Sequence, residues 1–390
     1  MIRTAERFRE KEGIDVRIGH EVEEIDAAGG RVRVRNLETD SVCWEAYDNL
    51  LIATGALPIC PELPGSDAVR ICGINTLQSG LELRRLVDAR NPKKGVVVGG
   101  GYIGLEMAEA LMMRGIEVTL VARSQQVMGT LDEDMGQLVS RALREFGVTL
   151  HLKESLTEFE TKEGEVVGVV TDKRSLPADI VILGLGVRPN TALAAAAGIP
   201  LGVKGAIRVN ERMETGIAGI WAAGDCAESF HLVSRRPFYI ALGTVANRQG
   251  RVAGINLGGG YATFPGVTGT AVTKICQVEV ARTGLQEKEL KALGIEWVSA
   301  VIRSQTKAGY FPGAGEITVK VLAEKGSGRL LGGQIVGMEG SAKRIDTLAT
   351  ALHAGFTVAE MINLDLGYAP PFSPVWDPVV IAAREAEKLL

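Results

Sequence analysis

Three glycines spaced as Gly99-x-Gly101-x-x-Gly104 follow an apolar run, Val96, Val97 and Val98. They open a helical pattern that puts Leu105, Ala108, Leu111 and Met112 on one face. The chemistry this spacing serves is anion binding. The first glycine makes a tight turn, the second lets backbone approach a pyrophosphate, and the third lets helix and strand pack closely. The helix N-terminus, with its open N–H groups and positive dipole end, then faces the anion. Gly115 stops the helix as a C′ glycine. A second apolar strand follows at residues 118–121. A glycine-rich structural turn would not need all three glycines, so the strand–turn–helix–strand unit reads as a dinucleotide fingerprint. Tyr102, Ile103 and Glu106 lie inside it, and Glu106 is expected in the first helical turn, where a carboxylate also complements the dipole.

The choice of nucleotide is made at the end of the second strand. An acid about 20 residues beyond the glycines would bind a ribose 2′-hydroxyl and repel a 2′-phosphate. Here the strand runs out into Ala122, Arg123 and Ser124. The acid is missing and the guanidinium fork of Arg123 suits a phosphate, so NADPH is expected to be accepted.

Three further turns are candidates for ligand contact. A buried strand at 50–52 opens onto Ala53, Thr54 and Gly55. The apolar run at 180–183 ends in a turn containing Gly186, at the carboxyl end of a strand, where ligands of open α/β sheets sit. A short strand delivers Gly224 and then Asp225, a carboxylate able to accept hydrogen bonds from ligand hydroxyls. The five cysteines, Cys43, Cys60, Cys72, Cys226 and Cys276, are scattered, odd in number and without CxxC spacing. That pattern fits a reducing cytoplasm without a disulfide framework. Cys43 reads as structural, in a hairpin strand; Cys226 reads as a buried small hydrophobe. The others show no positive neighbours that would lower a thiol pKa. The four histidines are isolated, so no metal site is expected. A net charge of −4 argues against nucleic acid as a partner, and no apolar run has the length of a membrane span.

These residues need elements to position them. Residues 1–12 read as the tail of a helix, 14–18 as an alternating strand, and 21–26 and 31–35 as strands flanking a Gly29-Gly30 hairpin turn. Residues 132–146 carry Met135, Leu138, Val139, Ala142, Leu143 and Phe146 at helical spacing, with a Thr130/Glu133 capping box and a Gly147 stop. A meander turns at Glu163-Gly164, and residues 242–256 read as a helix. From about 266 the texture changes to strands at 271–282, 297–302, 316–322 and 330–337, then a helix at 341–355. That is an α+β domain.

Together, Ala53-Thr54-Gly55, the fingerprint with Leu105-Glu106, Gly186-x-Arg188-Pro189-Asn190 and Ala223-Gly224-Asp225 resemble the FAD-dependent pyridine nucleotide–disulfide oxidoreductases along nearly the whole chain. Within them, Gly309-Tyr310-Phe311-Pro312-Gly313-Ala314, Lys343-Arg344-Ile345-Asp346 and Tyr368-Ala369-Pro370-Pro371-Phe372 resemble the coenzyme A-disulfide reductase, NADH oxidase and NADH peroxidase branch. The resemblance implies an α/β fold with two Rossmann-like three-layer nucleotide-binding domains, the FAD one incomplete, and a C-terminal α+β dimerisation domain. The expected bounds are 1–91 with 206–265 for FAD, 92–205 for NAD(P)H and 266–390 for dimerisation. It places Ala53, Thr54, Gly55, Gly224 and Asp225 at the FAD, with Val22, Leu242 and Ala246 as further cofactor contacts. Tyr102 becomes an aromatic gate over the flavin, and Glu106 approaches the nicotinamide. Tyr310 and Tyr368 reach across a homodimer to a disulfide or peroxide substrate.

One departure is large. The family opens with a glycine-rich βαβ unit for the FAD pyrophosphate and then a redox cysteine, and neither occurs here. Because the downstream FAD-type segments are well formed, an N-terminally truncated form is expected in preference to lost flavin chemistry. The implied activity is reduction of coenzyme A disulfide, persulfide or related small disulfides by NAD(P)H through FAD. NADH oxidase or peroxidase activity is one alternative. A flavin-free nucleotide-binding or dimerisation module without turnover is the other.

Overall fold

The computed structural model describes residues 4–390. The expected helix at 1–12 is seen as Ala5–Glu12, capped by the Thr4 side chain; its first three residues lie outside the described residues. Among the described residues no helix is long and apolar enough to cross a membrane. The chain forms two compact units. One comprises the residues up to Ala56, Arg188–Phe230 and Pro237–Gly266; the other comprises Leu57–Val187, His231–Arg236 and Val267–Leu390.

In the first unit, strands His20–Asp26, Arg31–Asn36 and Val42–Ala46 form an antiparallel sheet. The Asp26 carboxylate closes the first hairpin by accepting from the Gly29 N–H at 2.8 Å and Arg31 Nε at 2.9 Å. The strand expected at 14–18 does not form. Ile14 and Ile18 are exposed with nothing to bury against, and the Val16 carbonyl is taken by Arg9 Nε at 3.0 Å. Leu50–Ile52 pairs in parallel with Ile220–Ala222, and Ile25, Val34, Ile52, Ile207 and Ile220 share one core.

The second unit holds a parallel sheet in the order Ile71–Gly73, Ile180–Leu183, Lys94–Val98, Glu117–Ala122, Thr149–Leu152. Its central strands are apolar runs because both faces are covered. Helices Tyr102–Met112 and Glu133–Phe146 contribute Leu105, Leu111, Met135, Val139 and Leu143 to its core. The units divide the chain differently from the bounds expected from sequence. Residues 71–73 pair with Ile180–Leu183 and so join the nucleotide sheet, while 188–205 fall in the first unit. A three-residue strand is too short to announce its sheet.

The same unit continues into an antiparallel sheet, ordered Ala271–Ile275, Val278–Gly284, Leu330–Gly337, Glu316–Glu324, Trp297–Gln305. The strand expected at 271–282 is a hairpin, turned at Cys276 with φ +55°. Ala342–Arg344 is a short 3-10 turn leading into helix Ile345–Ala354. Helix Pro378–Glu387, unread in the sequence, starts at an Asp377 cap and an N-terminal proline and packs against Trp297–Gln305.

The Thr130/Glu133 capping box is also corrected. Asp132 is the N-cap of Glu133–Phe146, and its side chain makes no cap hydrogen bond because it is engaged elsewhere. It accepts from the Glu287 N–H at 2.9 Å and Gln334 Nε2 at 2.7 Å, and Lys320 Nζ lies 3.2 Å away. Lys320, with a side chain 3% exposed, also reaches Asp134 and Glu287, each at 2.9 Å. Burial favours the neutral amine, but the hydrogen bonds to Asp134 and Glu287 outweigh it and raise the Lys320 pKa. Burial raises the Asp132 pKa, against the pull of Lys320.

Removing Lys320 takes the ammonium from the buried Asp132 carboxylate, and stranding one buried charge costs about 3–5 kcal/mol. Lys320→Met is expected to lower the urea midpoint accordingly; an unchanged midpoint would show the cluster to be energetically idle. A pH effect follows from His231, which is 1% exposed. Burial, with Arg282 adding to it, lowers its pKa from 6.5 to about 4. Above pH 6.5 both folded and unfolded chains hold it neutral, and its contribution to stability is whole. As pH falls from 6.5 towards 4 the unfolded chain takes the proton first and stability is lost, by up to about 1.4 kcal/mol per pH unit. His231→Gln should flatten that slope in urea titrations at pH 7 and pH 5 (about the two ends of the window).

Candidate functional site

The nucleotide cradle is built by close backbone approach. A Cβ on Gly99, whose φ is +111°, would lie 2.3 Å from the Gly184 carbonyl oxygen. One on Gly104 would lie 2.0 Å from the Gly99 carbonyl oxygen, and one on Gly184 would lie 2.7 Å from Gly104 Cα. These three glycines are explained by the chain itself. Gly101 is not: a Cβ there would meet nothing within 4 Å. It is the N-cap of Tyr102–Met112 and has no side chain to cap with. The first helical bond runs from the Leu105 N–H to the Gly101 carbonyl, which leaves the earlier N–H groups of the turn, those of Ile103 and Gly104 included, for an anion. The space beside Gly101 therefore fits a pyrophosphate.

Gly186, with φ +92° and open space around its own missing Cβ, lies in the turn at the carboxyl end of Ile180–Leu183, next along from Gly184. Arg123 is exposed just beyond the end of Glu117–Ala122. Behind it, Ser124 Oγ donates to the Gln126 carbonyl at 2.6 Å and the Ser124 carbonyl accepts the Lys153 N–H at 3.0 Å. The fingerprint, Arg123 and Gly186 thus share the carboxyl edge of one sheet. The Tyr102 hydroxyl and Thr130 Oγ1 are both buried and lie against each other. Burial raises the Tyr102 pKa, and the charge of nearby Glu106 adds to the rise. Glu106 is the fifth residue of its helix, one place past the expected first turn, because the helix begins at Tyr102. Its Oε1 accepts a hydrogen bond from Thr273 Oγ1 at 2.6 Å.

The first unit assembles a second cluster. The Ala223 N–H donates to the Ile52 carbonyl at 3.1 Å, so Ala53 to Gly55 leave one strand beside Ala223 to Asp225 leaving the other. Thr54 Oγ1 donates to the Asn190 carbonyl at 2.6 Å, and the Asn190 N–H donates to the Gly55 carbonyl at 2.9 Å. Gly55 has φ +71°. Gly224 has φ +84°, and a Cβ there would lie 3.6 Å from Ala246 Cβ. Helix Gly243–Leu257, with Leu242 as its N-cap, therefore starts against this turn. Gln249 holds it: its Oε1 accepts the Gly224 N–H at 2.9 Å, and its Nε2 donates to the Glu228 carbonyl at 3.1 Å. The Asp225 carboxylate has an oxygen, Oδ1, that is buried without a partner, and burial raises its pKa. A ligand hydroxyl is the donor such an oxygen lacks. These residues fit the hydroxylated end of FAD. The pyrophosphate cradle is another matter: the one strand–GxGxxG–helix unit among the described residues belongs to the other sheet. Val22 stands apart, 40% exposed on His20–Asp26 at a register shift.

Tyr310 and Tyr368 are brought together. Both are exposed, and slight desolvation together with the neighbouring Tyr310 hydroxyl raises the Tyr368 pKa. Arg344 brackets the loops that carry them. It bonds Asp377 through Nε at 2.9 Å and, through Nη2, the carbonyls of Thr306 and Phe372, each at 2.8 Å. All five cysteines are free. Cys226 is buried and donates to the Ile52 and Ala223 carbonyls. Burial pushes the Cys276 thiol up to about 11 despite a nearby cation, Lys274, which the sequence reading missed. Burial also raises Cys72, and Cys43 and Cys60 are exposed. Sequence reasoning missed Gly184, Gln249 and Thr273 as site residues. Gly184 sat in a visible glycine turn; the other two carried no local signal.

The chain is similar to known proteins over nearly its whole length. A model of the pyridine nucleotide-disulphide oxidoreductases matches residues 2–250, and one of that group's dimerisation domain matches residues 270–378. The NAD(P)H sulfur oxidoreductase (CoA-dependent) of Pyrococcus furiosus is 39% identical over 381 residues, covering 97% of this chain and 84% of that protein. The structure of a NAD-dependent persulfide reductase from A. fulgidus matches with TM-score 0.96 at 38% identity, over 99% of this chain and 72% of that one. An engineered water-forming NADPH oxidase bound to NADPH, made from the NADH oxidase of Lactobacillus brevis, matches with TM-score 0.92 at 28% identity, over 97% of this chain and 84% of that one. Three of its substitutions are consecutive and turn Asp-Ala-Met into Ala-Arg-Ser.

The cradle separates two glycines by experiment. Gly104→Ala forces a Cβ onto a backbone oxygen and should cost about 1–3 kcal/mol in urea unfolding. Gly101→Ala should fold with near wild-type stability yet lose dinucleotide binding by calorimetry. Retained binding in Gly101→Ala would show that no ligand uses that space.

Proposed function

The chain belongs to the pyridine nucleotide-disulphide oxidoreductase family, and from that membership we propose that it is an FAD-dependent NAD(P)H oxidoreductase. Its proposed substrates are coenzyme A-linked persulfides or disulfides, and it works as a homodimer. The observation that carries the reading is the cradle at Gly101: a helix N-terminus with open N–H groups, where a Cβ on Gly101 would meet no described atom within 4 Å. The CoA-dependent sulfur oxidoreductase and the persulfide reductase among its relatives support the substrate class. Five free cysteines support a reducing compartment, the cytoplasm.

Bound FAD would accept hydride from NAD(P)H and pass electrons towards sulfur. The chain's own part is positioning and proton control. The backbone at Gly101 and the helix N-terminus hold the pyrophosphate of NAD(P)H. Glu106 meets the nicotinamide half, and Tyr102 lies beside it. Asp225 accepts hydrogen bonds from hydroxyls of the flavin chain, with Gly224, Ala53, Thr54 and Gly55 giving backbone access; Leu242 and Ala246 line the same turn. Tyr368, protonated and paired with Tyr310, donates a hydrogen bond to a sulfur leaving group.

Arg123 is proposed to select NADPH. The Ala-Arg-Ser run of the engineered NADPH oxidase is also the run found here as Ala122-Arg123-Ser124. The guanidinium pairs with a 2′-phosphate, and no acid stands there to repel it. Arg123→Ala should lower the NADPH-to-NADH ratio of kcat/KM by about tenfold or more, the worth of one charge-assisted contact. An unchanged ratio would remove Arg123 from the reading. Anaerobic addition of NADPH to purified protein should bleach a flavin absorption band. Protein that binds NADPH but carries no flavin would count against the oxidoreductase assignment.

A further inference from the structure

Glu106 stands exposed on helix Tyr102–Met112, yet its carboxylate is not free to turn. Oε1 accepts a hydrogen bond at 2.6 Å from Oγ1 of Thr273, a buried residue of strand Ala271–Ile275. Among the described residues, Oε2 accepts no hydrogen bond. One turn further along the same helix face, Glu109 Oε2 accepts the Cys276 backbone N–H at 2.8 Å. Lys274 Nζ closes the adjoining turn on the Cys276 carbonyl. Two carboxylates three residues apart thus clasp one hairpin, as residues sharing a helix face can. The Glu109 contact sets the strand's position along the helix, and the β-branched Thr273 has few rotamers with which to follow a moving partner. The hydroxyl therefore dictates where the carboxylate points.

We infer that Thr273 is a positioning residue: it aims the free Oε2 of Glu106 at the carboxamide N–H of the nicotinamide in bound NAD(P)H. This rests on the reading of the glycine fingerprint as an NAD(P)H site. The chemistry selects the donor. An ionised carboxylate only accepts hydrogen bonds, so it is repelled by the pyrophosphate and by a 2′-phosphate and matches a donor, and a ligand pair that shares every ribose hydroxyl but differs in the carboxamide N–H separates the two kinds of donor. An exposed glutamate otherwise spreads over many rotamers, and ordering it would be charged against binding. Thr273 orders it in advance, and preorganisation of this kind appears as affinity.

The test compares two ligands that differ only in nicotinamide, NADP+ and 2′-phospho-ADP-ribose, by calorimetry on the whole chain. Thr273→Val should weaken NADP+ by about fivefold, the worth of one hydrogen bond, and leave 2′-phospho-ADP-ribose unchanged. Thr273→Ser, which restores the hydroxyl, should restore NADP+ affinity. Adding Thr273→Val to a Glu106→Ala background should have no further effect, since the two act as one unit. Equal weakening of both ligands would make Thr273 merely structural, and undiminished NADP+ binding in Thr273→Val would overturn the inference outright. Failure of the unaltered chain to bind either ADP-ribose or 2′-phospho-ADP-ribose would instead overturn the NAD(P)H reading on which it stands.

Discussion

Three backbone segments meet at Gly99, Gly104 and Gly184 with no room for a side chain at any of them. That contact presses helix Tyr102–Met112 down onto two neighbouring strands of the parallel sheet. Everything nearby inherits its position from it. The helix N-terminus comes to lie over the carboxyl ends of the strands, where ligands of open α/β sheets collect. Gly101 is left facing space, Tyr102 is turned into a buried site, and Glu106 is carried to Thr273. A methyl group at any of the three contact glycines would lift the helix and disperse the arrangement.

Buried charge joins the pieces that glycine packing cannot reach. Lys320 gathers Asp132, Asp134 and Glu287 between the nucleotide sheet's helix and the C-terminal sheet. Such a cluster adds little net stability over an apolar one, because desolvation offsets much of the Coulomb gain. What it supplies is a geometry with few alternatives: the buried Asp132 is costly unless it meets the one ammonium, and Asp134 and Glu287 reach the same ammonium from the solvent side. Arg344 acts in the same manner on a smaller scale, fixing two tyrosine-bearing loops through one carboxylate and two carbonyls.

Against this satisfied background a few polar groups stand unmet. Buried polar atoms nearly always have partners, so the exceptions carry information. Asp225 Oδ1 in the first unit is such an atom, and the open helix N-terminus at Gly101 in the second adds a row of donors. Each wants a different complement: a hydroxyl and an anion. The parts of dinucleotide and flavin cofactors offer that set, which ties the oxidoreductase reading to groups the chain leaves unpaired.

Local patterns were readable in the chain itself. The fingerprint, the Gly29-Gly30 hairpin, the Glu133–Phe146 helix and the Asp225 turn depend on residues within one turn or one strand of each other, so spacing and glycine placement reveal them. The missing acid after the second strand, where Ala122, Arg123 and Ser124 stand, is legible for the same reason. Elements failed where a local pattern had no partner or a turn had no marker: 14–18 alternates but has nothing to bury against, and the turn at Cys276 uses a positive φ without a glycine. Thr130 resembled a cap until Asp132 took the position, its carboxylate drawn to Lys320 and Gln334 from across the unit. Folding alone decided that Thr273, 167 positions away in sequence, should grip Glu106, and that Gln249 should hold Gly224. A hydrogen bond between distant segments depends on the packing of everything between them, and no short stretch of residues records it.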